Sequence, residues 1–277
     1  MFCRFLENEL IRRVDEVWTY LLQAPSPWGN NHRDLVTMYR NAQAGECPLV
    51  VDDTTPSCGN SRFGCWVCTV VQKDKSMEAL IDNGEEWLEP LLEYRDLLAS
   101  TQDPEVKKQF RDFRRRDGRV WLKKDGGVVR GPYKFEVRQD FLRRLLETQK
   151  QVQERGPNPK EQLIRPEELQ QIRRLWRLEE QDWEDSVPEI YREVMGEDLD
   201  WVNDELPLFS GEERSLLDEA CERHDVPSKL VAKLLDIERE YSGMSRRAAI
   251  QKRISAAFEE DWRSEEEVLI QHEKTAV

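Results

Sequence analysis

Four cysteines, Cys47, Cys58, Cys65 and Cys68, lie in one stretch with ten, six and two residues between them, while Cys3 and Cys221 stand alone. Thiols clustered in this way in a reducing compartment point to ligation more than to disulfides. Four thiolates suit either zinc or an iron–sulfur cluster. A structural zinc site usually presents two close pairs, each in its own tight knuckle, and here only Cys65-Trp66-Val67-Cys68 is a close pair. Two single ligands from a loop fit a cubane better, with zinc and inert buried thiols as the alternatives. Cys47-Pro48 and Ser57-Cys58-Gly59 put restrained backbone beside the sulfurs, and Gly59 and Gly64 let amides approach them. Arg62 and Trp66 stand next to the ligands; Arg62 either donates to the sulfurs or pairs with a carboxylate.

A second constellation is basic. Lys107, Lys108, Arg111, Arg114, Arg115, Arg116, Arg119, Lys123 and Lys124 fall within 18 positions, interleaved with Phe110, Phe113 and Trp121. Cations of this density suit phosphates, and aromatic side chains can stack on unpaired bases. The net charge of −14 hides the contrast, because residues 106–150 carry 15 Lys/Arg against 6 Asp/Glu. A local excess of positive charge in an acidic chain reads as a polyanion surface, whereas Phe110 and Phe113, at amphipathic spacing, read better as core. His32, His224 and His272 have no ligand spacing, and the runs Glu179-Glu180-Gln181-Asp182 and Glu265-Glu266-Glu267 read as solvated helix faces. No nucleophile–base pair is evident, so no catalytic residue is assigned.

The elements that hold these groups are mostly helical. Charged residues are 35% of the 277 and hydrophobic ones 38%, which favours helices with wide solvated faces, and nine Trp with nine Phe argue against disorder. No apolar run approaches a membrane span and the N-terminus lacks a signal sequence, so a cytoplasmic protein without membrane contact is expected. Helical periodicity predicts helices at about 5–23, around Met77–Ile81 and Trp87–Leu98 with a break at Gly84, and over 105–117, 136–154, 166–184, 188–195, 211–223, 227–241 and 245–262. Ser210 with Glu213 matches a capping box. Between them lies a long Cys-rich loop, 28–70, without period. One β-hairpin is expected, with Arg119–Lys124 and Val128–Arg130 joined by Asp125-Gly126-Gly127. Gly156-Pro157-Asn158-Pro159 is the best linker. The expected organisation is an iron–sulfur-binding helical region over 1–104, a basic helix–hairpin–helix region over 105–155 and an acidic helical domain over 160–277.

Cys47-Pro48-Leu49-Val50-Val51, the run Ser57-Cys58-Gly59-Asn60-Ser61-Arg62-Phe63-Gly64-Cys65-Trp66-Val67-Cys68 and Lys73-Asp74-Lys75-Ser76-Met77 closely resemble DndC, the sulfurtransferase subunit family of bacterial DNA phosphorothioation. Asp15–Leu22 is similar to the helix after the nucleotide core in the phosphoadenosine-phosphosulfate reductase superfamily. Glu238-Arg239-Glu240-Tyr241, Arg246-Arg247 and Trp262 resemble the closing part of the same subunit. The resemblance implies a [4Fe–4S] cluster on Cys47, Cys58, Cys65 and Cys68, ATP pyrophosphatase chemistry that replaces a phosphate oxygen of DNA with sulfur, and as partners a cysteine desulfurase and the other Dnd subunits. The family's Ser-Gly-Gly-x-Asp-Ser nucleotide loop has no counterpart here, and Gly126-Gly127 belongs to a hairpin. The chain is therefore expected to be the C-terminal portion of an α/β nucleotide-hydrolase-like enzyme, using ATP and Mg only with the missing core. The alternative is a non-catalytic, zinc-stabilised helical module that docks DNA or protein.

Overall fold

The structure is a computed structural model that describes residues 14–27, 29, 32–33, 66–69, 73–123, 126–202, 209–242 and 248–275. Cys47, Cys58, Cys65, Arg62 and Lys124 lie outside the described residues, as does most of the expected Cys-rich loop. The chain divides into two compact units, Met1–Ser100 and Thr101–Val277.

In the first unit, α1 (Val14–Gln23) is followed, after the turn at 66–69, by α2 (Lys75–Asp82), a single 3-10 turn (Glu86–Leu88) and α3 (Glu89–Ser100). Asp74 starts α2, its carboxylate accepting the N–H groups of Ser76 and Met77 at 3.1 Å each, two donors that the first turn of a helix leaves without a partner. Gly84, at φ +103°, breaks the path between α2 and the 3-10 turn, as the sequence predicts. Met77, Leu91 and Tyr94 are buried, and among them Arg95 is wholly buried. His32 hydrogen-bonds through Nδ1 to the carbonyl of Leu21 at 2.7 Å, a local contact and not a ligand position.

The second unit contains α4 (Lys107–Phe110), α5 (Phe135–Arg155), α6 (Pro166–Glu179), α7 (Ser186–Met195), α8 (Gly211–Arg223), α9 (Ser228–Tyr241), α10 (Ala248–Phe258) and α11 (Glu265–Thr275). Its core lies between α5, α6 and α7, where Leu142, Leu146, Leu169, Trp176, Val187, Ile190 and Tyr191 pack together with Ile164 of the connection. Each such aliphatic side chain contributes about 1.5–3 kcal/mol by leaving water. Phe135 meets the Trp176 ring edge-on at 5.1 Å between centroids. Buried Gln149 fastens the connection to α5, its side-chain oxygen accepting the N–H groups of Leu163 and Ile164 at 2.8 and 3.2 Å. Pro166 opens α6 where its missing N–H costs nothing.

Three helix lengths differ from the sequence-based expectation, one of them that of α10, which ends at Phe258 rather than near 262. α6 ends at Glu179 rather than near 184, because buried Asp182 accepts the N–H and hydroxyl of Ser186 and so starts the next helix, with Gln181 and Asp185 in left-handed backbone. The predicted helix over 105–117 is a single turn, Lys107–Phe110. Beyond it the chain is extended, because pairing with distant segments satisfies its backbone better than helix continuation. Asp112 N–H donates to the carbonyl of Pro132, Gly131 N–H to the carbonyl of Asp112, and Lys134 N–H to that of Phe110. The Asp112 carboxylate accepts the N–H of Arg114 at 2.8 Å, a local bond that competes with the helix. One helix, α11, lies beyond the expected spans, although its first turn, Glu265-Glu266-Glu267, reads in the sequence as a solvated helix face. Its start is a capping box, in which Ser264 N–H donates to Glu267 at 2.7 Å and Glu267 N–H to Ser264 Oγ at 3.2 Å.

Candidate nucleic-acid interface

The expected hairpin forms. Val129 N–H donates to the carbonyl of Trp121 and Lys123 N–H to that of Gly127, with an antiparallel bridge at Leu122 and Val128. Gly126, at φ +81°, takes the left-handed turn conformation that glycine adopts without strain. Further bridges join Arg111 to Tyr133 and Arg114 to Val120, so the segment 111–115 is stitched to both arms of the hairpin. Among the described residues these bridges do not extend into regular strands. Gly131 is indispensable to this stitching, since a Cβ there would lie 1.7 Å from the carbonyl oxygen of Arg114.

The nine basic residues separate into two groups. Arg111 stacks over the Tyr133 ring at 4.2 Å and donates to the carbonyl of Gly131 and the side-chain oxygen of Gln102. Arg114 lies over Phe113 and donates through Nε to the carbonyl of Asp261 at 2.6 Å and through Nη2 to that of Arg263 at 3.1 Å. Arg119 pairs with Glu259 at 2.9 Å. These three brace the hairpin. Arg115 donates to the carbonyl of Arg130 at 3.1 Å and is otherwise exposed. Lys107, Lys108, Arg116 and Lys123 have no side-chain partner among the described residues, and all but Lys107 are exposed.

Sequence reasoning missed the other half of the brace. Arg130 is held by both oxygens of Glu265, at 2.5 and 2.8 Å, and Asp261 N–H donates to the carbonyl of Gly118 at 2.9 Å. The Arg263 side chain donates to the Asp261 carboxylate and holds its pKa below the ordinary carboxylate value. Lys233 of α9 pairs with Glu260. The turn 259–265 therefore clamps the hairpin onto the helices α9, α10 and α11. Nothing local in the sequence announces contacts between residues about 140 positions apart; only the Ser264-x-x-Glu267 capping signature marks where that turn ends.

A cleft opens beside the hairpin, lined by Arg111, Arg115, Arg116, Asp117, Trp121 and the Gly131-Pro132 backbone. The Trp121 indole is 59% exposed, whereas Phe110 and Phe113 are half-buried rather than core, and Phe113 lies outside the helix, which ends at Phe110. Buried Nε of Arg111 has no acceptor among the described residues.

At the cysteine cluster, Cys68 is the one expected ligand among the described residues. Its carbonyl accepts Nε–H of buried Arg95 at 3.2 Å, and Trp66 lies against Tyr94 with ring centroids 5.7 Å apart. No group of three or more His, Cys, Asp and Glu residues that could hold a metal ion occurs among the described residues.

The second unit is thus a helical module that carries a braced, arginine-rich hairpin. Residues 212–259, which span α8, α9 and α10, match a family model described as a small protein found in certain Dnd DNA modification systems. That match supports a member of a Dnd DNA modification system without singling out the sulfurtransferase subunit. Neither a curated protein nor a solved structure matches the chain significantly. Among the described residues no helix is long and apolar enough to cross a membrane.

Proposed function

We propose that this protein is the iron–sulfur and DNA-contacting portion of the sulfurtransferase of a Dnd DNA modification system, supplying the basic hairpin and a [4Fe–4S] cluster to the enzyme that places sulfur in the DNA backbone. The observation that carries the reading is the division of labour in the hairpin. Arg111, Arg114, Arg119 and Arg130 are spent on holding its shape, and Lys107, Lys108, Arg115, Arg116 and Lys123 are left for phosphates. The clamp joins that surface to the helices matched by the Dnd family model.

For the cluster, Cys47, Cys58, Cys65 and Cys68 supply four thiolates. The donor chemistry fits in type, since four thiolates are a ligand set that such a cluster takes; at Cys68 buried Arg95 donates to the carbonyl, and Trp66 lies against Tyr94 of α3. When bound, such a cluster supplies one-electron redox capacity tuned by hydrogen bonds to its sulfurs. In this reading the chain corresponds to the C-terminal portion of an α/β nucleotide-hydrolase-like enzyme, with a cysteine desulfurase and the other Dnd subunits as partners.

Duplex binding is tested by fluorescence anisotropy across a salt series. Affinity falls steeply with salt and is largely independent of sequence, and replacing Arg115 and Arg116 together by Ala flattens the slope by about two phosphate contacts. An unaltered slope in that variant defeats the DNA assignment. Iron and sulfide assays after anaerobic purification test the cluster. Cys58→Ser or Cys65→Ser abolishes iron binding, and unchanged iron in both, or zinc in its place, rejects it.

A further inference from the structure

The cleft at Trp121 combines features that a simple phosphate-tracking surface does not need. Phosphate contact is made by cations and hydrogen-bond donors, and it does not call for the exposed face of an aromatic ring. Trp121 sits on the first arm of the hairpin, tied by the hydrogen bond from Val129 N–H to its carbonyl, so its backbone is fixed while its ring is free to receive a planar partner. Around the ring the cleft offers the guanidinium groups of Arg111, Arg115 and Arg116 and a single carboxylate, Asp117, which is engaged by the N–H of Arg119 at 3.2 Å. Arg111 lies over the Tyr133 ring at 4.2 Å, and its buried Nε–H lacks an acceptor among the described residues, which is costly unless a ligand or water supplies one. The Gly131-Pro132 floor carries no long side chain.

We infer that this cleft takes a single unpaired nucleotide of a DNA strand, its base stacked on the Trp121 indole and its phosphate received by Arg115 and Arg116. The inference rests on the DNA-contacting reading above and narrows it from a polyanion surface to a site for a base outside the duplex stack. Such a site gives the hairpin a preference for strands with an unstacked base. The preference is sequence-tolerant, because every base has a face to stack.

The experiment compares three ligands with the full chain by anisotropy: a duplex, the same duplex carrying one unpaired nucleotide, and a single strand. The wild-type protein binds the bulged and single-stranded ligands more tightly than the duplex. Trp121→Ala weakens binding to those two by roughly 5- to 100-fold and changes duplex affinity by less than about 2-fold, the range expected for loss of one stacked base. Trp121→Phe restores part of the loss. Circular dichroism confirms that the exposed substitution leaves the fold intact. Equal losses on all three ligands, or no loss on any, overturn the stacking site. The broader reading fails separately, through the salt slope of the variant lacking Arg115 and Arg116. Competition by ATP or a deoxynucleoside monophosphate at concentrations similar to the oligonucleotide's overturns the strand assignment in favour of a free nucleotide.

Discussion

Arg114 and Arg116 are two residues apart in the same basic run, and replacing each by Ala has opposite consequences. Arg114 gives two N–H groups to main-chain carbonyls of the turn that clamps the hairpin, at 2.6 and 3.1 Å. A hydrogen bond from a charged donor contributes about 1.5–3 kcal/mol, and the half-buried position of Arg114 puts the pair towards the lower end, about 3–4 kcal/mol together. For a unit of roughly 150–250 residues each kcal/mol moves Tm by about 2–4 °C, so Arg114→Ala lowers Tm of the second unit by about 5–15 °C. Arg116 has no side-chain partner among the described residues. Arg116→Ala therefore leaves stability within about 0.5 kcal/mol, while removing one phosphate contact and flattening the logarithmic salt slope by about 0.9. Thermal melts followed by circular dichroism and duplex anisotropy between 50 and 200 mM salt, on both variants, provide the comparison. An Arg114→Ala protein that melts with the wild type, or an Arg116→Ala protein with an unchanged slope, refutes the division into bracing and contacting arginines.

Two further outcomes follow from the same unit. Gly131→Ala forces a methyl group against the Arg114 backbone and breaks the pairing of Gly131 with Asp112, costing about 2–4 kcal/mol by overpacking and a lost hydrogen bond; chemical denaturation measures it, and an unchanged midpoint contradicts the close approach. Burial pushes the Asp182 carboxyl above its ordinary value against the opposing hydrogen bonds from Ser186, so the folded state holds this proton more tightly than the unfolded one and the group costs stability as pH rises through its raised pKa. Asp182→Asn removes that loss, and its Tm difference between pH 7 and pH 4 is more positive than the wild type's; an identical difference rejects the assignment.

Helices with two independent signals were legible in the sequence. The span 211–223 had both apolar spacing and the Ser210–Glu213 pair, and the structure has Gly211–Arg223, with Ser210 N–H donating to Glu213. Pro166 and Gly156 likewise marked a start and a stop that are found there. The basic run was read correctly as charge and incorrectly as helix. Phe110 and Phe113 at a spacing of three fit an amphipathic face, yet segment 111–115 gains more from pairing with 119–120 and 131–133 than from its own ladder. Local periodicity carries no information about a partner twenty or more residues away. For the same reason the sequence could nominate nine cations as equals, while Arg114 is distinguished only by the carbonyls of Asp261 and Arg263.

The acidic C-terminal stretch acquires a meaning that composition alone did not give it. Read along the chain, Glu259, Glu260, Asp261 and Glu265 look like a solvated run that would repel DNA. In the fold they are occupied: Glu259 by Arg119, Glu260 by Lys233, Glu265 by Arg130, and Asp261 by Arg263, with its own carbonyl taken by Arg114. Each pairing removes an acid and a base together, so these carboxylates are not set against Arg115 and Arg116, which share their cleft with the single carboxylate of Asp117. Neutralising the bracing arginines from within also keeps them from competing for phosphates at wrong registers, which leaves Arg115, Arg116 and the indole of Trp121 to fix where a strand can sit. A chain of net charge −14 can in this way carry a cationic contact surface without binding DNA indiscriminately, and the acids that brace the surface are part of what makes it selective.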